Sequence, residues 1–336
     1  MAALAAEGRA SQSPNRPPSP LGFAAVCLAL VAAFIAIPAR AQVRPGQQRP
    51  PRGQMKVRVD LVSVLTSVLD AAGKPVTNLP RQDFHLYQDG KEQQIDLFER
   101  QTNMPLDLAL MIDTSLSAVG DLKFEEEAAA RFIQQVLRPG DRLSVFTFAY
   151  NVTQISPFTG SVDTLQTALR RVRPGTGTSL FDAVYLGAHA LEQRPPDRRR
   201  VLLLVTDAGE TTSRASYDSA RDAAIRSGAM LYTMLIRVVK SESGRNTAGE
   251  HAIDTIIDAT GGAMYTVDSA SQFGPTFDRI NEELRTEYLL GFYPNPEPPP
   301  GSHHTIEVRL ASPGPAGGSP YAVRYRKEYF TPEANQ

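Results

Sequence analysis

Between Leu108 and Tyr288 short apolar runs alternate with amphipathic stretches, and this alternation limits the fold more than any other property of the chain. Strands are predicted at 108–112, 143–149, 152–156, 201–206, 230–236 and 263–267. Helices are predicted near 121–137, 162–172, 180–193, 216–227, 249–260 and 271–287. Runs such as Val201-Leu202-Leu203-Leu204-Val205 are apolar at every position, the pattern of a strand covered on both faces. A βα alternation of this length argues for an α/β fold, a doubly wound, mostly parallel sheet with helices on both faces. The short pair 143–149 and 152–156, joined at Tyr150-Asn151, adds one antiparallel edge strand.

The flanks read differently. Residues 55–100 form an N-terminal β module. Val57, Val59 and Leu61 alternate with polar residues, then the apolar phase slips to Val62, Val64 and Val68. A bulge, or burial on both faces, accounts for that slip. Asp89-Gly90 is a hairpin signal between Phe84-His85-Leu86-Tyr87 and the strand near Ile95. The C-terminal segment 289–330 holds two further strand patterns, 304–310 and 321–326. Isolated hairpins are marginal in water. The two flanks are therefore expected to combine into a small β-sandwich-like module beside the α/β domain of 105–288.

At the end of the first α/β strand stands Asp113-Thr114-Ser115-Leu116-Ser117. A carboxylate and two hydroxyls at alternate positions aim hard oxygens at one crevice, the place where open α/β sheets bind ligands. Magnesium takes such oxygens in octahedral array and usually only one or two carboxylates. Thr178 adds a hydroxyl from the loop Gly175-Thr176-Gly177-Thr178-Ser179, and Asp207 ends the strand 201–206. Asp-x-Ser-x-Ser, Gly-x-Gly-Thr and Thr-Asp, in this order and each after a strand or at a helix start, resemble the metal-ion-dependent adhesion site of von Willebrand factor A domains. That resemblance implies Mg2+ (or Mn2+) contacted by Ser115, Ser117 and Thr178, with Asp113 and Asp207 holding it directly or through water. The family's Thr-Asp-Gly is here Thr206-Asp207-Ala208-Gly209, so the glycine is displaced by one position. The segments 84–98, 284–292 and 323–330 also resemble a bacterial VWFA-related family first grouped from Acidobacteria. The latter resemblance implies an architecture and assigns no substrate.

The expected function is metal-dependent protein–protein recognition or adhesion in the bacterial envelope or secreted space. In the way the resemblance implies, a partner protein's Asp or Glu carboxylate completes the metal shell. An alternative is a structural envelope scaffold in which the metal only stabilises loops and the β flanks bind the partner. A third reading, a magnesium-dependent enzyme, needs a general base beside an open metal position, and His is absent from all three site segments. No Gly-x-Ser-x-Gly elbow, phosphate loop or His-Glu-x-x-His helix occurs, so the chain is not expected to be an enzyme. Ser179-Leu180-Phe181-Asp182 has the capping-box pattern, which gives Asp182 a helix-start role; support of the metal is the alternative. Glu210-Thr211-Thr212-Ser213 reads as a solvated loop or a ligand-facing rim, Arg198-Arg199-Arg200 as solvated residues ahead of a core strand, and His303-His304 as a turn before a strand, with adventitious binding of a transition metal as the alternative.

Residues 1–41 have the pattern of an export signal: Arg9 and Arg16, an apolar run Leu21–Ile37, then Ala39-Arg40-Ala41. Cleavage would leave a periplasmic or secreted protein, with an N-terminal membrane anchor as the alternative. Residues 42–54 form a Pro-rich linker. The single cysteine, Cys27, lies inside the signal, so the mature chain would hold its fold without disulfides. Loss of three Arg and one Glu with the signal takes the net charge from −1 to −3, which offers nucleic acid no basic footprint.

Overall fold

The computed structural model describes residues 61–100, 103–116, 122–237, 246–312, 314 and 320–333. The signal, linker and strand start expected before residue 61 lie outside them, as does Ser117. In chain order the strands and helices are β1 (Val62–Leu69), β2 (Phe84–Gln88), β3 (Lys91–Gln93), β4 (Leu97–Glu99), β5 (Leu106–Asp113), α1 (Leu122–Val136), β6 (Arg142–Phe148) and β7 (Val152–Thr159). Next come α2 (Val162–Leu169), α3 (Leu180–Glu192), β8 (Arg199–Thr206), α4 (Tyr217–Ser227), β9 (Met230–Ile236), α5 (Thr247–Thr260) and β10 (Ala263–Val267). The chain continues through α6 (Phe273–Thr286), β11 (Tyr288–Phe292), β12 (His303–Leu310), β13 (Ala322–Tyr325) and β14 (Glu328–Phe330).

The central sheet has the order β10-β9-β8-β5-β6-β7. All its pairings are parallel except β6–β7, which supplies the antiparallel edge. Alternate side chains of β5 serve two cores. Leu108, Leu110 and Ile112 join Phe132 of α1 and Phe277 of α6, whose rings stack with centroids 4.6 Å apart. Ala109 and Met111 join Leu180, Ala183 and Val184 of α3 on the other face. Burial on both sides is why this strand reads as one apolar run. Gly187 lets α3 lie close to the sheet: a Cβ there would sit 2.6 Å from Leu202 Cδ1 and 3.1 Å from Met111 Sδ.

Strands of both flanks are interleaved in two four-stranded sheets, β13-β1-β11-β4 and β14-β12-β2-β3. Between them lies a third core of Val64, Val68, Phe84, Leu86, Tyr288, Leu290, Phe292, Ile306 and Val308. The apolar slip in β1 reflects burial on both faces, since Thr66 and Ser67 are as buried as Val68. Asp89 and Gly90 turn β2 into β3 with positive φ at both residues, 50° and 76°, as a two-residue hairpin of this sequence requires. The strand expected at 304–310 starts one residue earlier, so His303 joins His304 in it instead of lying in a turn. They open β12, where His303 meets Glu328 and His304 meets Asp89, each at 2.7 Å.

The Arg198-Arg199-Arg200 cluster departs from the expectation of a solvated segment. Arg198 pairs with the buried Asp107 at 2.6 Å, and Arg194 meets the same carboxylate at 2.7 Å. Arg199 is buried, donates to the carbonyls of Met104 and Leu284, and pairs with buried Glu287 at 3.1 Å. Desolvation is strong enough to push the Glu287 carboxyl up to about 7 in spite of Arg199. Removing one partner of a buried pair leaves the other charge uncompensated. Arg199→Ala should therefore cost about 3–5 kcal/mol, read as a lower urea midpoint with little change of slope. Exposed Arg309, paired with Glu307, serves as the control and should leave the midpoint nearly unchanged on the same substitution.

Candidate metal site at the ends of β5 and β8

The sheet order places β5 between β6 and β8, so the chain winds outward from β5 in both directions. That reversal opens a crevice at the C-terminal ends of β5 and β8. Asp113 closes β5 and is fully buried. One of its oxygens accepts from the Ser115 backbone N–H at 2.9 Å, and the other from the Thr206 hydroxyl at 2.6 Å. Thr206 ends β8, so this second bond ties the two strand ends together. The Thr206 hydroxyl also accepts from Ala208 N at 3.0 Å. No Lys, Arg or His pairs with Asp113 among the described residues. Burial pushes its carboxyl up to about 6, the bonds from Thr206 and Ser115 pull the other way, and repulsion from Asp207 adds to the rise.

The loop carrying Thr178 is strapped to the same edge. Gly175 N donates to Thr114 O at 2.7 Å, and Ser179 N to Ala149 O at 2.8 Å. Gly177 has φ +71°, a conformation that suits glycine. Thr178 is buried; its N–H donates to Thr211 Oγ1, and its carbonyl accepts from Thr211 N and Thr212 N. Among the described residues nothing hydrogen-bonds its hydroxyl. Asp207 is half-buried, with Oδ1 accepting from Gly209 N at 2.9 Å. A Cβ at Gly209 would stand 3.0 Å from that Asp207 oxygen and 3.4 Å from Thr178 Oγ1. The absent side chain thus keeps open a small cradle between a carboxylate and a hydroxyl.

Displacement of the glycine has a visible consequence. Ala208 occupies the family's glycine position and takes φ +59°, in the left-handed region, while its methyl is fully buried. The loop keeps a conformation natural to glycine, and burial of the methyl offsets part of the strain.

The structure therefore brings Asp113, Ser115, Thr178 and Asp207 to one crevice, with Ser117 outside the described residues. Among those residues no three His, Cys, Asp or Glu side chains gather as a metal site, so any cation here would depend on hydroxyl oxygens beside the two carboxylates. That donor set fits a hard, oxygen-seeking ion.

Two expectations change. Ser179 stands at the start of α3 but does not cap it; its hydroxyl donates to Tyr150 O at 2.8 Å instead. Glu210 and Ser213 accept from Phe181 N, and Ser213 also accepts from Asp182 N. Asp182 in turn accepts from Arg214 N and Ala215 N. The cap of α3 is thus supplied by Glu210 and Ser213, from the segment 210–213 that was expected to be a solvated loop or a ligand-facing rim. Sequence reasoning also missed the roles of Thr206 and of Asn246, whose amide donates to Asp207 O at 3.1 Å. Thr206 stood inside a quoted motif, but nothing near Asn246 signalled its role.

Residues 108–210 match the family model of the von Willebrand factor type A domain. This stretch is similar to a von Willebrand A domain. No curated protein matches the chain. Solved structures similar to it include a von Willebrand factor type A protein from Catenulispora acidiphila, at 12% identity and TM-score 0.47, covering 75% of this chain and 74% of that one. BatB from Bacteroides thetaiotaomicron has 15% identity and TM-score 0.43, covering 54% of this chain and all of that one. The vWF domain of the type V pili tip protein Mfa5 from Porphyromonas gingivalis has 12% identity and TM-score 0.42, covering 54% and 95%.

The raised Asp113 value fixes a sign. A carboxyl whose folded pKa lies above its unfolded one favours the fold when protonated, so this contribution grows as pH falls from above 6 to below 4. Without divalent ions, Asp113→Asn should melt above the wild type at pH 8, by an amount on the order of 3 kcal/mol. The advantage should vanish near pH 4. Paired thermal scans across this range in chelator, wild type against variant, measure it.

Proposed function

We propose that the von Willebrand A domain recognises a partner protein through a divalent cation, Mg2+ or Mn2+, held by Asp113, Ser115, Ser117, Thr178 and Asp207. The observation that carries this reading is Asp113, a fully buried carboxylate without a cationic partner among the described residues. A charge in that position is expensive unless something neutralises it. A divalent ion in the crevice would do so, and the hydroxyls of Ser115 and Thr178 are suited to share it. Because most of the protein's ligands would be neutral, the bound ion would keep enough positive character to attract an Asp or Glu carboxylate from outside. The protein's own part is to hold the oxygens in place and keep the crevice open.

Leu116 and Tyr150 belong to the segments that frame the crevice, and both present large apolar surface to solvent, at 67% and 57% exposure. They suit a protein partner better than a small solute, since exposed aromatic and aliphatic groups around a polar centre are typical of interaction surfaces. The setting we infer is the bacterial envelope or secreted space, from the export pattern of residues 1–41. Among the described residues no helix is long and apolar enough to cross a membrane.

Mg2+ or Mn2+ should raise the melting temperature of the wild type over that in EDTA, and Asp113→Ala should abolish the rise. Gly209→Ala makes a sharper test, because it removes no ligand and only fills the cradle between Asp207 and Thr178. It should weaken cation affinity at least about tenfold, a loss of roughly 1.4 kcal/mol, in an isothermal titration. An unchanged affinity would place the ion elsewhere. Equal melting curves with and without cation would remove the metal from the reading altogether.

A further inference from the structure

At the far end of the β sandwich, β12 is preceded by the turn Pro299-Pro300-Gly301-Ser302, and β2 passes into β3 through Asp89-Gly90. In extended chain, positions i and i+2 share a face, which brings Ser302 beside His304. Ser302 Oγ lies 2.6 Å from His304 Nε2, and His304 Nδ1 lies 2.7 Å from Asp89 Oδ2. Asp89 is held from several sides. Its Oδ1 accepts from Thr305 N at 3.0 Å and from the Thr305 hydroxyl at 3.3 Å, and Gln88 Nε2 donates to Oδ2 at 3.4 Å. Gln88 is itself fixed by the Tyr329 hydroxyl at 3.1 Å. The ring of Tyr329 lies 5.5 Å from that of His304, which is buried apart from a small edge.

Counting protons orders this chain of contacts. An ionised Asp89 only accepts, so His304 Nδ1 carries the hydrogen. In the neutral ring Nε2 is then an acceptor, and the hydroxyl beside it is that of Ser302. Ser302 Oγ also lies 2.5 Å from Pro299 O, but that carbonyl has a donor of its own in Thr331 Oγ1 at 2.6 Å. The Ser302 hydroxyl can therefore turn to His304 without leaving a polar atom unpaired. Nucleophile, base and orienting carboxylate stand in the relation that activates a serine.

We infer that Ser302, with His304 as general base and Asp89 as its positioning residue, is an activated serine that accepts acyl groups from small esters. Ser302 Oγ attacks the ester carbonyl while its proton passes to His304 Nε2. The alkoxide departs with that proton as an alcohol, and the acyl group remains as an ester on Ser302. Water attacks by the reverse route, His304 taking its proton and returning it to Ser302, and the carboxylic acid is released. The nearby backbone donors are already engaged: Gly301 N with Pro332 O, Ser302 N with Thr331 Oγ1, and Thr331 N with Ser302 O. Stabilisation of the oxyanion, worth about 10²–10³ in rate for one donor in serine hydrolases, is missing from this set. The expected behaviour is selective acylation with slow turnover.

The test is to treat the purified full-length chain with a fluorophosphonate probe, and separately with p-nitrophenyl acetate, and to locate the label by peptide mass spectrometry. Ser302 should react at least tenfold faster than the exposed Ser271, with a rate that depends on pH differently from that of Ser271. His304→Gln and Asp89→Asn, each checked by thermal melting, should slow labelling at Ser302 at least tenfold while leaving Ser271 unaffected. Ser302→Ala controls for contaminating esterases. Labelling of Ser302 no faster than that of Ser271, or a pH profile equal to that of Ser271, would overturn the inference. The pH profile decides the matter even if a variant fails to fold.

Discussion

Burying a carboxylate among aliphatic side chains is costly, and the upper end of this sheet is arranged around one that has been buried. Asp113 ends β5 with its oxygens held by Thr206 and by Ser115. Through Thr206 it joins β5 to β8, the two strands that bound the crevice of a doubly wound sheet. The loops that follow are positioned by this junction. Asp207 follows Thr206 by one residue, and the Thr178 loop is laced to Thr114, Ala149 and Thr211. A change at Asp113 therefore reaches the strand junction and the loop geometry together, apart from any ion.

The opposite end of the sheet solves a similar problem with cations. Asp107, Asp141 and Glu287 are buried carboxylates as well, but each has an arginine: Arg198 with Arg194, Arg285 and Arg199 respectively. The contrast gives Asp113, which has no basic partner among the described residues, its meaning, since the same domain elsewhere matches its buried acids with bases. The paired end also fastens the β sandwich. Glu287 lies between α6 and β11, and Glu283 of α6 accepts from Tyr232, Tyr265 and from Arg324 of β13. The sandwich is thus bound to the α/β domain through buried, hydrogen-bonded polar groups, which favour one docking geometry.

Much of this was readable in the chain. All six strands and six helices of the α/β domain lie close to the predicted segments, because strands buried on both faces and helices with an apolar stripe carry strong, different periods. The Asp89-Gly90 hairpin was readable too, since few dipeptides tolerate positive φ twice in succession. The failures share one cause. Arg199, Glu210, Ser213 and Asp182 were judged from neighbours in sequence, and each is occupied by a partner tens of residues away. A polar residue in a local window looks solvated; whether it is buried and paired depends on the fold.

Sequence by itself therefore determined the layer architecture and the residue types that face the crevice, because periodicity and strand-end chemistry are local properties. Only the tertiary structure decided that Thr206 locks Asp113, that a distant loop caps α3, and that Ala208 takes a conformation natural to glycine. It also decided the meeting of Asp89 with His304, across more than two hundred residues. These are contacts between segments far apart in the chain. Their geometry is set by how layers pack against one another, and no local pattern of residues encodes it.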